Sequence, residues 1–247
     1  MALGLLLLHA FPLDASMWDG QVAALSSTLP VVAVNLPGFG DTPLAEPKGW
    51  MDHSAGVADA ALAAAGVDRV IVCGLSMGGY VALAYARRYR SKVAGVILAN
   101  TRADADDEAA RERRAGLAAR LRAEGNGFLA DSPPPLLTDD APAALVDHVK
   151  AIIRKQPAEA IARTALGMAD RVDSTPDLAG ISVPTLVITA SRDTLISPSL
   201  SEAIAAAVPG AQLETIDGVG HLSNLQAPEE FNRLLRSLVS RVQASGR

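Results

Sequence analysis

The 247-residue chain has one cysteine, Cys73, and only 4% aromatic residues. A lone cysteine excludes an internal disulfide and a thiolate metal cluster. With four histidines there is room for one catalytic site but not for a histidine-rich metal centre. Positive charge is also in deficit: 22 Lys/Arg face 27 Asp/Glu, for a net charge of −5. A protein that neutralises many phosphates shows the opposite balance, so nucleic acid is not an expected partner. Long apolar runs are missing too. The nearest approach, MALGLLLL at residues 1–8, is far short of the roughly 20 residues that span a bilayer. No Lys or Arg precedes it, and Pro12 and Asp14 follow, which speaks against a signal peptide. The expectation is a soluble, cytoplasmic protein with an intact N-terminus and no membrane partner.

What remains is ample for a fold. At 49% hydrophobic the chain can fill a core, which excludes wholesale disorder, and its length allows one large domain or two small ones. Short apolar runs at Leu3–Leu8, Val31–Asn35, Arg69–Cys73, Val93–Leu98, Val183–Thr189 and Gln212–Ile216 read as strands. Most are continuously apolar, the pattern of parallel strands buried on both faces. Amphipathic segments at Met17–Ser27, His53–Ala65, Met77–Tyr89, Ser199–Ala207 and Glu229–Val242 read as helices. Ser16 is placed to cap the first and Gly66 to end the second, while Pro198 and Pro228 open the last two, where a missing N–H costs nothing. Alternation of this kind predicts the α/β class, a parallel sheet covered by helices.

Residues 101–180 break the rhythm. They carry 11 Lys/Arg and 14 Asp/Glu, about half of the chain's charged residues, and hold no convincing strand. Helices are expected at Asp104–Ala123, Ala143–Lys155 and Ala158–Arg171, separated by Gly125, Gly127 and the Pro133–Pro135 run. So much charge is most simply a solvated helical surface. Between two strands of a continuing sheet it is more specifically a lid, with Phe128, Leu129, Ile152, Ile153 and Met168 on its inner face. The division expected is a core of residues 1–100 and 181–247 and a helical insertion over 101–180.

The strongest local signal is Val70-Ile71-Val72-Cys73-Gly74-Leu75-Ser76-Met77-Gly78-Gly79, a buried strand running through Gly-x-Ser-x-Gly into a helix. That is the context of a nucleophile elbow, a sharp turn that strains the serine and lifts its hydroxyl clear of the sheet. Side chains at Gly74 and Gly78 would collide with neighbouring backbone. A serine hydroxyl needs a base. His221 lies in Asp217-Gly218-Val219-Gly220-His221, a glycine-rich loop after the last strand, and is the expected base. His148 reads as a surface helix residue, His53 as exposed or capping, and His9 as a residue that orders the turn after the first strand. The imidazole in turn needs an acid. Asp193 follows the penultimate strand and completes the chain order Ser76, Asp193, His221. Asp217, the competitor, more simply stabilises the start of the His221 loop. The turn Leu8-His9-Ala10-Phe11-Pro12 can aim the Phe11 N–H at the serine, and the Met77 N–H supplies a second oxyanion donor. Cys73 reads as a buried core residue. Leu36-Pro37-Gly38-Phe39-Gly40 lacks the lysine of a phosphate loop, so neither a nucleotide cofactor nor a metal is expected.

With these residues together, the chain resembles the α/β-hydrolase superfamily, in its esterase, lactonase and perhydrolase branch. The resemblance is carried by His9-Ala10-Phe11-Pro12, Leu36-Pro37-Gly38-Phe39-Gly40, Gly74-Leu75-Ser76-Met77-Gly78-Gly79, Asp193 and Gly220-His221. In layout it is similar to 3-oxoadipate enol-lactonase-like hydrolases. The resemblance implies a cofactor-free triad beneath a helical cap, the cap falling at residues 101–180. It departs from the family in two places. Ala10 stands where glycine is usual, which puts the oxyanion loop's geometry in question. The chain also starts on the strand before the His9 loop, without the family's two preceding strands. A mainly parallel sheet of about six strands, with helices on both faces, is therefore expected. Val31–Asn35 would be its edge, free to pair with a second copy in a homodimer. The function expected is a serine hydrolase cleaving a small carboxylic ester or lactone through an acyl-enzyme. The alternatives are a lyase or C–C bond hydrolase on the same triad, and a non-catalytic ligand-binding member of the fold.

Overall fold

Continuous apolar runs have no solvent face to spare, and in the computed structural model, which describes residues 2–245, they are stacked inside one sheet. The strands are β1 (Leu3–Leu8), β2 (Val31–Val34), β3 (Arg69–Leu75), β4 (Val93–Ala99), β5 (Thr185–Ala190) and β6 (Gln212–Ile216). All pair parallel, in the order β2-β1-β3-β4-β5-β6. Every residue of β4 and β5 is buried. At the two edges the pattern changes. β2 is mostly half-buried, and β6 is exposed except at Ile216.

The order of the sheet reverses between β1 and β3. Chain connections of one hand that leave in opposite directions place their helices on opposite faces. Accordingly α1 (Asp19–Leu25) packs on α10 (Pro228–Ser245), and α2 (Trp50–Ala64) packs on α3 (Met77–Arg88). The remaining core helices are α8 (Pro198–Ala207), opened by Pro198, and the short α9 (Ser223–Gln226). Pro228 opens α10, and Gly66, at φ +68°, follows the end of α2. Cys73 is fully buried in β3, and burial pushes its thiol far above the ordinary range.

Between β4 and β5 the chain forms α4 (Glu108–Glu124), α5 (Gly127–Asp131), α6 (Ala143–Lys155) and α7 (Ala158–Ala169). Several helix ends differ from the sequence reading, α2 starting at Trp50 instead of His53 among them, and three of the differences have a visible reason. The first helix begins as a 3-10 turn over Ala15–Trp18, and Asp14, not Ser16, caps it by accepting the Ser16 N–H at 3.0 Å. α4 starts at Glu108, capped by Asp107, because Asp104 and Asp106 are engaged elsewhere. α7 stops at Ala169, freeing Arg171 to leave the helix. The buried Arg171 donates to Asp106 Oδ1 at 2.6 Å and, through Nε and Nη2, to the Asp104 carbonyl at 3.1 and 2.9 Å. Its guanidinium also lies 4.4 Å over the Tyr80 ring of α3. Burial by itself would raise the Asp106 carboxyl, but Arg114 and Arg171 hold it below the usual carboxylate range. This pair joins the outgoing and returning strands of chain, as does the Ser174 N–H bond to the Ala103 carbonyl at 2.9 Å. A buried, hydrogen-bonded ion pair is costly to break from one side.

His9 joins the exits of the first two strands. The Leu36 N–H donates to His9 Nε2 at 3.0 Å, so the proton sits on Nδ1, which donates to the Ala10 carbonyl at 3.0 Å. Burial of the whole ring is the main cause that lowers its pKa from 6.5 to about 4. A histidine that must be neutral in the fold withdraws stability as pH falls from its unfolded value toward its folded one. Between about pH 6.5 and pH 4.5, unfolding free energy should therefore fall by up to ~1.4 kcal/mol per pH unit on account of His9. Urea unfolding across that range should show this slope in the native protein and a flatter one in His9→Gln. An equal slope in both would assign the dependence to other groups.

Candidate active site

Ser76 occupies the link between β3 and α3 at φ 57°, ψ −117°, a left-handed conformation for a non-glycine residue. Such conformations cost on the order of 1–3 kcal/mol and persist only where the surroundings enforce them. Here the enforcement is visible. The Ser76 N–H donates to the Ala99 carbonyl at 2.9 Å, and its own carbonyl accepts the Thr101 hydroxyl at 2.7 Å and the Gly79 N–H at 2.8 Å. A Cβ on Gly74 would stand 2.0 Å from the Gly78 carbonyl oxygen, and one on Gly78 would stand 2.0 Å from the Leu8 carbonyl oxygen. Neither position admits a side chain. The same holds at Gly79, where a Cβ would meet Thr101 Oγ1 at 2.4 Å. The turn leaves the Ser76 side chain half-buried at the carboxyl ends of the strands, beside the point where the sheet order reverses. That is where open α/β sheets bind their ligands.

Two further loops end at the same edge. His221, 28 residues beyond Asp193, lies with its Nδ1 at 2.8 Å from Asp193 Oδ2, and both side chains are buried. The carboxylate is saturated with donors: Oδ2 also accepts from Asn100 Nδ2 at 2.9 Å, and Oδ1 accepts the Leu195 and Ile196 N–H groups at 2.9 and 3.0 Å. Burial would raise this carboxyl, but His221, Ile196 and Asn100 together hold it below the usual range. The bond to Nδ1 leaves Nε2 as the free nitrogen of the ring. No hydrogen bond joins Nε2 to the Ser76 hydroxyl, a contact that commonly tightens only with substrate present. Asp217 stays apart. It accepts the Ser191 hydroxyl at 2.7 Å, and the Gly218 N–H donates back to Ser191 Oγ at 2.9 Å, so it builds the loop's first turn.

On the β1 side, Leu8 lies opposite Gly74 in the register, which sets the His9–Pro12 turn against the elbow. None of the hydrogen bonds among the described residues uses the Phe11 or the Met77 N–H, so both donors remain available. Ala10 is accommodated without a positive φ: its methyl is fully buried, and its N–H lies 3.2 Å from Met17 Sδ. His53 and His148 are exposed on α2 and α6. A cleft of about 280 Å³ between the end of α3 and residues 176–183 opens at the opposite, amino end of the strands.

The segment 136–140, after the proline run, holds the His221 loop. The Leu222 N–H donates to the Leu136 carbonyl at 2.9 Å, and Gln226 Oε1 accepts both the Gly220 and the Thr138 N–H groups at 2.9 and 3.2 Å. Arg192, next to Asp193, pairs with Asp139 and Asp140 at 2.6 and 2.8 Å. On the far side, Gln156 at the end of α6 donates to Asp14 Oδ2 at 2.8 Å, tying α6 to the turn after Phe11. The sequence reading did not single out Asn100, Ser223, Gln156 or Gln226. Asn100-Thr101 alone left a signal, as a polar pair directly after the apolar run of β4.

Comparison with known proteins agrees with this architecture. A profile of the Alpha/beta hydrolase family matches residues 5–234. A pimeloyl-[acyl-carrier protein] methyl ester esterase of Neisseria meningitidis is 31% identical over 96% of this chain and 93% of its own length. The 3-oxoadipate enol-lactonase 1 of Acinetobacter baylyi is 28% identical over 93% of this chain and 86% of its own. Among solved structures, a thermophilic esterase from Thermogutta terrifontis superposes with a TM-score of 0.93 at 36% identity, covering 98% of this chain and 91% of that one. The chain belongs to the alpha/beta hydrolase family, as a hydrolase of its esterase and lactonase branch.

Proposed function

We propose that the protein is a serine hydrolase of carboxylic esters or lactones, working through Ser76, His221 and Asp193. The observation that carries this reading is the buried His221 Nδ1–Asp193 Oδ2 bond of 2.8 Å at the strand edge that also presents the strained Ser76. Ser76 Oγ attacks the carbonyl carbon while His221 Nε2 takes its proton. Asp193 fixes the tautomer that leaves Nε2 unprotonated and stabilises the imidazolium that forms. The Phe11 and Met77 N–H groups receive the oxyanion. His221 then returns the proton to the leaving alcohol, and water repeats the sequence on the acyl-enzyme. A relative named as a methyl ester esterase and another named as an enol-lactonase support this substrate class.

In the same reading, residues 101–180 form a cap that shapes the acyl site without adding a reacting group. Within it Leu129, Ile152, Ile153 and Met168 are buried, and Phe128 is half-buried with the Arg120 guanidinium stacked 3.7 Å from its ring. Apolar cover of this kind excludes water from the reacting bond.

Four outcomes test the reading. Ser76→Ala should lose nearly all turnover of p-nitrophenyl esters while keeping its unfolding midpoint, with a residual rate of ~10³ over water from the oxyanion donors and binding. Wild-type turnover in that variant removes Ser76 from the mechanism. Asp193→Asn should cut kcat by a factor on the order of 10⁴ through the wrong imidazole tautomer, and Asp217→Asn by far less. Steady-state kinetics giving the reverse ranking would reassign the acid. Small-residue substitutions at Phe128 and Ile152 should reorder kcat/KM between short and long acyl esters, by ~1–3 kcal/mol per lost methylene contact. His148→Ala should leave turnover intact; its loss on every ester would place the base in the insertion.

A further inference from the structure

We propose that Asn100 and Ser223 are positioning residues, a buried pair that holds the Asp193 carboxylate in the orientation that serves His221. The inference rests on the reading of Asp193 as the acid partner of His221. Ser223, Asn100 and Asp193 form one chain of hydrogen bonds: Ser223 Oγ donates to Asn100 Oδ1 at 2.6 Å, and Asn100 Nδ2 donates to Asp193 Oδ2 at 2.9 Å. The Ser223 hydroxyl sets the direction of the amide. Turned the other way, Asn100 would set its carbonyl oxygen against the carboxylate, two acceptors face to face. Asn100 and Ser223 are fully buried and Asp193 is 5% exposed, so water cannot replace the missing donor. Without the amide, Oδ2 keeps only the His221 donor, and a buried carboxylate oxygen short of a donor is costly, which gives the link its weight.

The backbone points the same way. Asn100 sits at φ +45°, one of two non-glycine residues with positive φ among the described residues, the other being Ser76. Asparagine tolerates this conformation better than most side chains. Its N–H is held by the Ile188 carbonyl of β5 at 2.8 Å, so the strain is fixed from the neighbouring strand. The next residue, Thr101, holds the Ser76 carbonyl. One dipeptide at the end of β4 therefore braces the acid with its first residue and the nucleophile's turn with its second.

Asn100 Nδ2 and His221 Nδ1 share the acceptor Oδ2, so removing the amide concentrates negative charge on the atom that faces the imidazole. That favours the imidazolium and moves the acidic limb of kcat/KM to higher pH. The charged groups of the neighbouring loops are Arg192, which pairs with Asp139 and Asp140, and Asp217, held by Ser191. None of them bonds to Asn100.

Asn100→Gly accepts the left-handed backbone and deletes the side chain that carries the amide. With p-nitrophenyl acetate, kcat should fall on the order of 10- to 100-fold, KM should stay within about twofold, and the acidic limb should rise by a few tenths of a pH unit. Ser223→Ala should lower kcat less, about 3- to 10-fold, and the double variant should be no worse than Asn100→Gly, because Ser223 acts through Asn100. Ser76→Ala is assayed alongside. If it is inactive while Asn100→Gly keeps the wild-type kcat and acidic limb, the positioning role is overturned and the triad stands. If Ser76→Ala turns over normally, the site reading itself fails. Should Asn100→Gly not fold, Ser223→Ala decides by the same limb, and a wild-type profile there overturns the proposal.

Discussion

The close approach of α3 to β1 is the constraint on which the rest of this structure depends. The chain leaves β3 through Ser76 at positive φ and enters α3 with Gly78 against the Leu8 carbonyl, at a separation no Cβ could share. That contact brings the exit of β1 beside the exit of β3. It exists because β1 and β3 are neighbours, which follows from the reversal of strand order at this point. Strain in the turn is balanced by hydrogen bonds from both flanks, Ala99 on one and Thr101 on the other.

A second layer of the site is polar and sealed. Asp193 has four donors, from four different residues, two of them backbone N–H groups of its own loop. Buried polar groups are stable when fully paired and costly when partly paired, so such a network defines one arrangement sharply. Saturation also holds the carboxyl ionised despite its burial, the state in which it can support a protonated imidazole.

Three of the ties between the helices that follow β4 and this core lie each beside a different part of the proposed machinery. Gln156 bonds Asp14 beside the oxyanion turn, segment 136–140 bonds the His221 and Asp193 loops, and Arg171 closes the neck over Tyr80 of the elbow helix. The exposed ion pairs among these contribute little by themselves. The buried Arg171–Asp106 pair and the amide bonds carry the specificity of the docking.

Much of this was legible from the residues alone. Continuous apolar runs identified the inner strands, because strands buried on both faces have no polar positions to alternate. Gly74, Ser76 and Gly78 identified the elbow, because its backbone geometry excludes side chains at fixed offsets. Glycine at 218 and 220 marked the loop that carries His221. The helix ends near Asp104, Ser16 and Arg171 were not legible, because charged side chains there serve partners that are distant in sequence. Asn100 and Ser223 were hidden for the same reason: they lie 123 residues apart and meet only when β4 stands beside β5. Local pattern determines periodicity, turn geometry and chain order, since these depend on neighbours in sequence. Chain order already favoured Asp193 over Asp217, but which amide steadies that carboxylate was decided only by the tertiary structure, since burial and hydrogen-bond pairing depend on neighbours in space.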